Sequence, residues 1–328
     1  MPRKIILDCD PGHDDAIAML LAHGSSEIDL LAVTTVAGNQ TLAKVTRNAL
    51  GVAAVAGMRG VTIAAGCDRP FVRPFIGAAQ IHGESGLGGV ELPDPAGLPE
   101  AGIGLDPRHG VDVIIETVMA HEVGEITLVP IGPLTNIAMA ARKEPRIVER
   151  VREVVLMGGG VHKGNRTPTA EFNILADPES AHVVFDAGWP VTMVGLDLTH
   201  QALATEEVCA RIGEIGGPVA ELVLAGVSSY GAAYRETGRF DHPPLHDPCA
   251  VAYVVDRAVM TTRRAPVSVE LTGTHTLGMT VADLRDEAPA DCRTQVALEL
   301  DVDRFWDLVV EALAALGDGD GQVGEAGR

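Results

Sequence analysis

Short apolar runs alternate along this chain with longer stretches in which apolar residues recur every three or four positions. The runs at residues 5–7, 30–36, 61–64, 126–130, 153–157 and 191–194 are leucine-rich or β-branched, as strands buried on both faces require. Helical periods at 14–22, 41–56, 111–120, 134–141 and 178–187 lie between them. This alternation predicts an α/β fold: an open, mostly parallel sheet with helices on both faces and a Rossmann-like core. Beyond residue 200 the pattern turns helical, at 204–215, 219–235 and 248–255. Strand-like pieces follow at 267–271, 277–281 and 294–300, then a closing helix at 303–316. No linker divides the chain, so residues 1–316 read as one domain, and the glycines and charges of residues 317–328 predict a disordered tail. Two connections, 69–92 and 158–173, are long for a compact domain, where long loops tend to carry function.

Composition narrows the partners. Of 328 residues, 46% are hydrophobic and 3% aromatic, enough for a large aliphatic core. The formal net charge of −20 opposes both nucleic acid and anionic membrane, leaving small neutral or cationic ligands. Cys9, Cys67, Cys209, Cys249 and Cys292 are odd in number and form no C-x-x-C pair, so they read as reduced thiols. The first apolar stretch is cut by Asp8, too early for a signal peptide, and no run approaches the roughly 18 apolar residues of a membrane span. The expectation is a soluble cytoplasmic protein.

Chemistry concentrates where the first strand ends. Asp8, Asp10, Asp14 and Asp15 fall within one eight-residue segment, at the strand end where α/β sheets bind ligands. A turn with two acids in the first helical turn would account for part of this pattern. It leaves the other acids unexplained, because neighbouring carboxylates repel unless a cation or a hydrogen-bond-donating substrate lies among them. Oxygen ligands without Cys or His select a hard cation, Ca²⁺ or Mg²⁺. Asp247, before Pro248, has the grammar of a helix cap, as does Asp177 before Pro178; the neighbouring His246 and His242 set Asp247 apart, since a histidine near a metal-bound carboxylate can move protons. Asn165, Glu171 and Asn173, with Asn39, are either loop-stabilising turn residues or a kit for gripping hydroxyl groups. The glycines at 158–160 do not complete a G-x-G-x-x-G motif, because Lys163 stands in the last position. Tyr230 and Tyr234, four apart on one helix face, suit either core packing or stacking on a planar ring.

These residues together resemble the nucleoside hydrolases, specifically the inosine–uridine-preferring group. The resemblance runs from about residue 4 to 316 and is carried foremost by D-x-D-P-G-x-D-D-A at Asp8 to Ala16. Further matches are Ile81-His82-Gly83-Glu84, Pro133-Leu134-Thr135-Asn136, Met157-Gly158-Gly159-Gly160, Glu171-Phe172-Asn173 and His246-Asp247-Pro248. By that resemblance Asp10, Asp15 and Asp247, with the backbone carbonyl of Ile131, would hold Ca²⁺. Threonine is common in the family where Ile131 stands. Asp14, Asn39, Met157, Asn165, Glu171 and Asn173 match ribose-contacting positions, and Asp8 would support the site from outside the metal's ligand shell. His82, Phe172, Tyr230 and Tyr234 match positions near the base, on segments that close over the substrate. Trp189 and Trp306 fall in none of these motifs, which favours a nonspecific or inosine–uridine type over a purine-selective one.

The resemblance implies hydrolysis of a ribonucleoside to base and ribose, with Asp10 as general base and His246 as proton donor to the leaving base. Such a reaction needs anions near a cationic sugar, an activated water and a proton source. It also implies a homodimer or homotetramer. Two rivals remain at this level: a haloacid-dehalogenase-like phosphohydrolase, against which Gly12 stands in the place of its usual threonine or valine, and a nucleoside- or sugar-binding protein without turnover.

Overall fold

Strand β1 (Arg3–Cys9) runs through the middle of the sheet with Ile5, Ile6 and Leu7 fully buried. A computed structural model describes residues 1–94 and 102–317. The remaining strands are β2 (Ile28–Thr35), β3 (Thr62–Ala65), β4 (Leu105–Asp106), β5 (Ile126–Pro130), β6 (Glu153–Met157), β7 (Val191–Val194), β8 (Met260–Arg264), β9 (Val267–Val269), β10 (Thr280–Ala282) and β11 (Thr294–Leu300). Nine of them form one sheet in the order β4-β3-β2-β1-β5-β6-β7-β11-β8, parallel except where β8 meets β11. Ile5, Leu7 and Cys9 pack into the layer holding helices His13–Gly24, Asp247–Val255 and Val302–Gly317, while Ile6 packs into the layer of Gly110–Ala120 and Thr135–Lys143. Covered on both sides, the central strands need no polar alternation. Each fully buried Ile or Leu contributes roughly 1.5–3 kcal/mol relative to exposure.

From β1 the chain winds outward through β2, β3 and β4, then resumes on the other side at β5. The segments leaving β1 and β5 therefore part at a topological switch point, which opens a crevice above their carboxyl ends. Both the acid-rich segment after β1 and Ile131 after β5 emerge there.

The expected open parallel sheet with helices on both faces is what the chain forms. Its periphery differs in detail. β8, with only Met260 buried, and the two-residue β4 carry too few apolar residues to register as runs. Residues 267–271 and 277–281 pair as a separate antiparallel ribbon, β9 with β10. The second strand starts only at Thr280, because Gly278 (φ +75°) still belongs to the preceding turn. Among the described residues no helix is long and apolar enough to cross a membrane. The last helix ends at Gly317, and residues 318–328 of the expected tail lie outside the described residues.

Candidate active site

The floor of the crevice is made of carboxylates. Asp10, Asp14, Asp15 and Asp247 are each at most 4% exposed, and ligand oxygens of Asp14, Asp15 and Asp247 lie within 4.8 Å of one another. Asp15 folds back over its own turn: Oδ1 accepts from the Asp10 N–H (3.0 Å), and Oδ2 from the Gly12 N–H (2.9 Å) and the Asn39 amide (3.1 Å). One carboxylate thus satisfies orphan donors of the helix start while sitting in the acidic group. Asp10 accepts from the Asn39 N–H through Oδ2 at 2.6 Å. Its side chain lies in a slot between two loops: a methyl on Gly38 would come within 2.1 Å of Oδ2, and one on Gly132 within 2.4 Å of Oδ1. Asp247 is the first residue of its helix and makes no capping hydrogen bond, whereas Asp177, with the same Asp-Pro grammar, caps through Ser180 N–H. The cap explanation therefore holds for Asp177 and fails for Asp247.

Burial, reinforced by mutual repulsion, pushes these acids upward. Asp14 rises to about 7 through burial and then the Asp15 charge; Asp10 and Asp247 rise well above the usual range, again through burial first and then Asp15 and Asp14 respectively. Asp8, below the floor, is pushed up to about 7 by burial although Asn136 and Thr34 donate to it.

A hard cation fits this floor. Asp10 Oδ1 is buried without a hydrogen-bond partner among the described residues, and a buried oxygen left without a donor is destabilising. The surrounding donor set is all oxygen, and a divalent ion would restore the ionised state of the acids. The closest triplet is Asp14, Asp15 and Asp247, with Asp10 coupled to it by charge. Ile131 lines the same cavity, and its carbonyl accepts from the Asn173 amide at 2.8 Å, which uses one of its two lone pairs.

Above the floor lies a cavity of about 350 Å³, a size suited to a small organic ligand. Asp14, Asn39, Met157, Asn165, Glu171 and Asn173 line one part of it; His82, Phe172, Tyr230, Tyr234 and His246 line another. Asp10 and Asp15 sit beneath rather than in the wall. Several wall residues also do the local work of loop stabilisation: Glu171 caps its helix through Asn173 and Ile174 N–H and holds Gly159 N–H, while Asn165 accepts from Phe172 N–H. The loop-stabilising explanation offered for these residues is thus present, in side chains that also line the cavity.

On the aromatic side, His246 is bonded through Nδ1 to Thr199 Oγ1 (2.8 Å) and through Nε2 to the Tyr234 hydroxyl (2.9 Å). Burial, with a contribution from His200, lowers its pKa to about 3, so the ring is neutral at physiological pH. Tyr230 lies 3.4 Å from both Asp14 Oδ2 and the Tyr234 hydroxyl, which links floor to wall.

The model of the family described as inosine-uridine preferring nucleoside hydrolase matches residues 5–307. The chain belongs to this family. It is 60% identical over 318 residues to the inosine-uridine preferring nucleoside hydrolase of Crithidia fasciculata, covering 97% of this chain and 99% of the relative. It is 42% identical over 316 residues to the pyrimidine-specific ribonucleoside hydrolase RihA of Photobacterium profundum, at 96% and 99% coverage. Among solved structures, the purine-preferring ribonucleoside hydrolase of Gardnerella vaginalis superposes with a TM-score of 0.88 at 34% identity, covering 96% of this chain and 99% of that one. This nucleoside hydrolase is accordingly an enzyme that hydrolyses N-glycosyl bonds. Its cavity also contains residues that sequence reasoning passed over. Arg166 and Arg239 stand in the wall, tied to the Gly77 and Asn165 carbonyls, and Thr199 anchors His246 from 47 positions away. Arg166 was within reach, lying beside Asn165 in a segment already singled out; Thr199 gave no local signal.

Proposed function

We propose that this chain cleaves ribonucleosides such as inosine and uridine to free base and ribose with Ca²⁺ bound at the acidic floor. The observation that carries the reading is the placement of a buried carboxylate floor with an unpartnered Asp10 oxygen beneath a cavity walled by the His246–Tyr234 pair. Asp10, Asp15 and Asp247, with the Ile131 carbonyl, would hold the ion, and Asp14 lies close enough to share in it. When bound, such an ion lowers the pKa of a water and binds hydroxyl oxygens. Asp10 takes the proton of the attacking water, a role worth about 10²–10⁴ in rate. Asp14, Asn39, Met157, Asn165, Glu171 and Asn173 hold the ribose. The floor carboxylates stabilise positive charge developing on the sugar as the bond to the base breaks.

The leaving base needs a proton, and the neutrality of His246 shapes how it arrives. With Nδ1 accepting from Thr199, Nε2–H donates to the hydroxyl of Tyr234, which lines the cavity and also lies 3.4 Å from the Tyr230 hydroxyl. His246 then acts through Tyr234 rather than as a free imidazolium. His82, Phe172 and Tyr230 contact the base. A broad substrate range is supported by relatives named for inosine and uridine and for pyrimidines. Residence in the cytoplasm is supported by five free cysteines, and assembly into a homodimer or homotetramer by the exposed apolar side chains of Val72, Phe75 and Met139.

The test is to incubate the protein with inosine or uridine, with and without a calcium chelator, and assay free ribose. Ribose should appear from both substrates, vanish with the chelator and return with added Ca²⁺. Binding of either nucleoside without ribose release, in the presence of Ca²⁺, would establish the non-catalytic alternative instead.

A further inference from the structure

In the signature D-x-D-P-G-x-D-D-A the second variable position is His13, and the catalytic reading gives it no task. It is 2% exposed, stacks on His82 with ring centroids 5.3 Å apart and meets the tilted ring of Tyr230 at 5.4 Å. Its Nε2 lies 2.9 Å from the Gly88 carbonyl; a carbonyl only accepts, so Nε2 carries the proton and donates. The Gly88 N–H in turn donates to the His82 carbonyl at 2.9 Å. The His13 backbone N–H, in the first helical turn where no carbonyl of the helix can receive it, points at His82 Nδ1 at 3.3 Å. His13 Nδ1 lies 3.3 Å from the same His82 Nδ1, so the His13 backbone and ring both meet this one nitrogen, while His82 Nε2 has no protein partner among the described residues and His82 lines the cavity. A methyl on Gly12 would come within 2.4 Å of His82 Nδ1, so the close approach of ring and backbone depends on that glycine.

The segment that carries His82 is held in the same manner along its length. Gln40, just before the helix Leu42–Val55, and Lys44 and Asn48 within it donate to the carbonyls of Gly83, Glu84 and Ser85 in order, and His13 adds Gly88. Residues 83–88 are thus gripped by their backbone, and His13 is the one of these four donors that also touches the His82 ring.

We propose that His13 is a positioning residue for base recognition: it closes a ring of contacts around His82 that holds the imidazole in one rotamer and presents its Nε2 edge to the base. The proposal rests on the nucleoside-hydrolase reading of this cavity. Without the His13 donor the 83–88 segment loosens and His82 turns away, so the effect falls on substrate capture.

The experiment compares steady-state kinetics of wild type, His13→Phe, which keeps a ring but no donor, His13→Gln, which restores an N–H toward Gly88, His82→Ala and the double variant H13F/H82A. His13→Phe should raise KM for inosine about tenfold, with kcat within about twofold, the signature of lost uniform binding. His13→Gln should recover most of the loss. In the His82→Ala background, His13→Phe should change nothing further, because a residue that acts through His82 has no effect once that side chain is gone. An unchanged KM in His13→Phe, or a tenfold rise repeated in the His82→Ala background, would overturn the proposal. Hydrogen exchange at the Gly88 amide reads the same latch without turnover: it should quicken in His13→Phe and not in His13→Gln, and equal protection in all three would also overturn it. Should His13→Phe fail to fold, His13→Leu removes the donor with a smaller side chain and takes its place. Absence of ribose release by the wild type would instead indict the functional reading.

Discussion

The two ends of strand β6 treat buried charge in opposite ways. At its amino end Glu153 is 7% exposed and is met by Arg257, with Arg152 and Arg3 adding favourable charge; burial raises its pKa and these cations pull it back. Its carboxyl end, at Met157, opens onto the cavity above Asp10, Asp14, Asp15 and Asp247. Among the described residues no ion pair reaches any of those four, although ion pairs to other acids occur elsewhere on the molecule. A buried acid with its own cation is part of the architecture. A group of buried acids without one is, on the function proposed above, kept for a cation that arrives from outside, with activity as the reason to tolerate the repulsion.

The contrast can be broken most forcefully at Asp10. Asp10→Asn should lower kcat by about 10³ or more, while the melting temperature of the cation-free protein holds or rises, because one repelling charge is gone. Steady-state kinetics beside a thermal melt in chelator would check it, and a variant that lost stability but kept its rate would place Asp10 with Glu153. The pH dependence is next in size. Asp8 and Asp14 have folded pKa values of about 7 against an ordinary 3.8, so the folded state holds protons more tightly than the unfolded one between those values. Their contribution to stability is full below pH 3.8 and is lost as pH rises through 7. Cation-free protein should therefore be more stable at pH 5 than at pH 8, by on the order of a few kcal/mol, and Ca²⁺ should flatten the slope. Urea unfolding at a series of pH values reads this directly. The smallest effect belongs to the other end of the sheet. Arg257→Ala leaves Glu153 buried without its main partner and should destabilise the fold by about 1–2 kcal/mol, the arginine being half exposed. Its kcat for nucleosides should stay at the wild-type value.

Much of this was legible in the chain before folding, and the limits have physical causes. Residues 5–7 announced β1 because a strand buried on both faces needs an unbroken apolar run, and the acids that follow declared themselves by crowding. β8 escaped because an exposed antiparallel edge strand reading Met-Thr-Thr-Arg-Arg needs little apolar surface. Asp177 and Asp247 share one local grammar, and only their tertiary surroundings separate a cap from a floor carboxylate. His246 could be nominated from its neighbour Asp247, but its neutral state depends on burial and its partners come from Thr199 and Tyr234, which proximity in sequence does not reveal. His13 was invisible for a similar reason: its contacts, His82, Gly88 and Tyr230, are brought to it by three other parts of the chain.

The slot around Asp10 has a bearing on how this protein can vary. Gly38 and Gly132 contribute no functional group, yet neither position has room for even an alanine while Asp10 stays in place. In a saturation library both should score as intolerant as a catalytic acid. A loop graft meant to alter substrate choice has to carry these two glycines along, so part of the enzyme's heritable information is written as space kept empty.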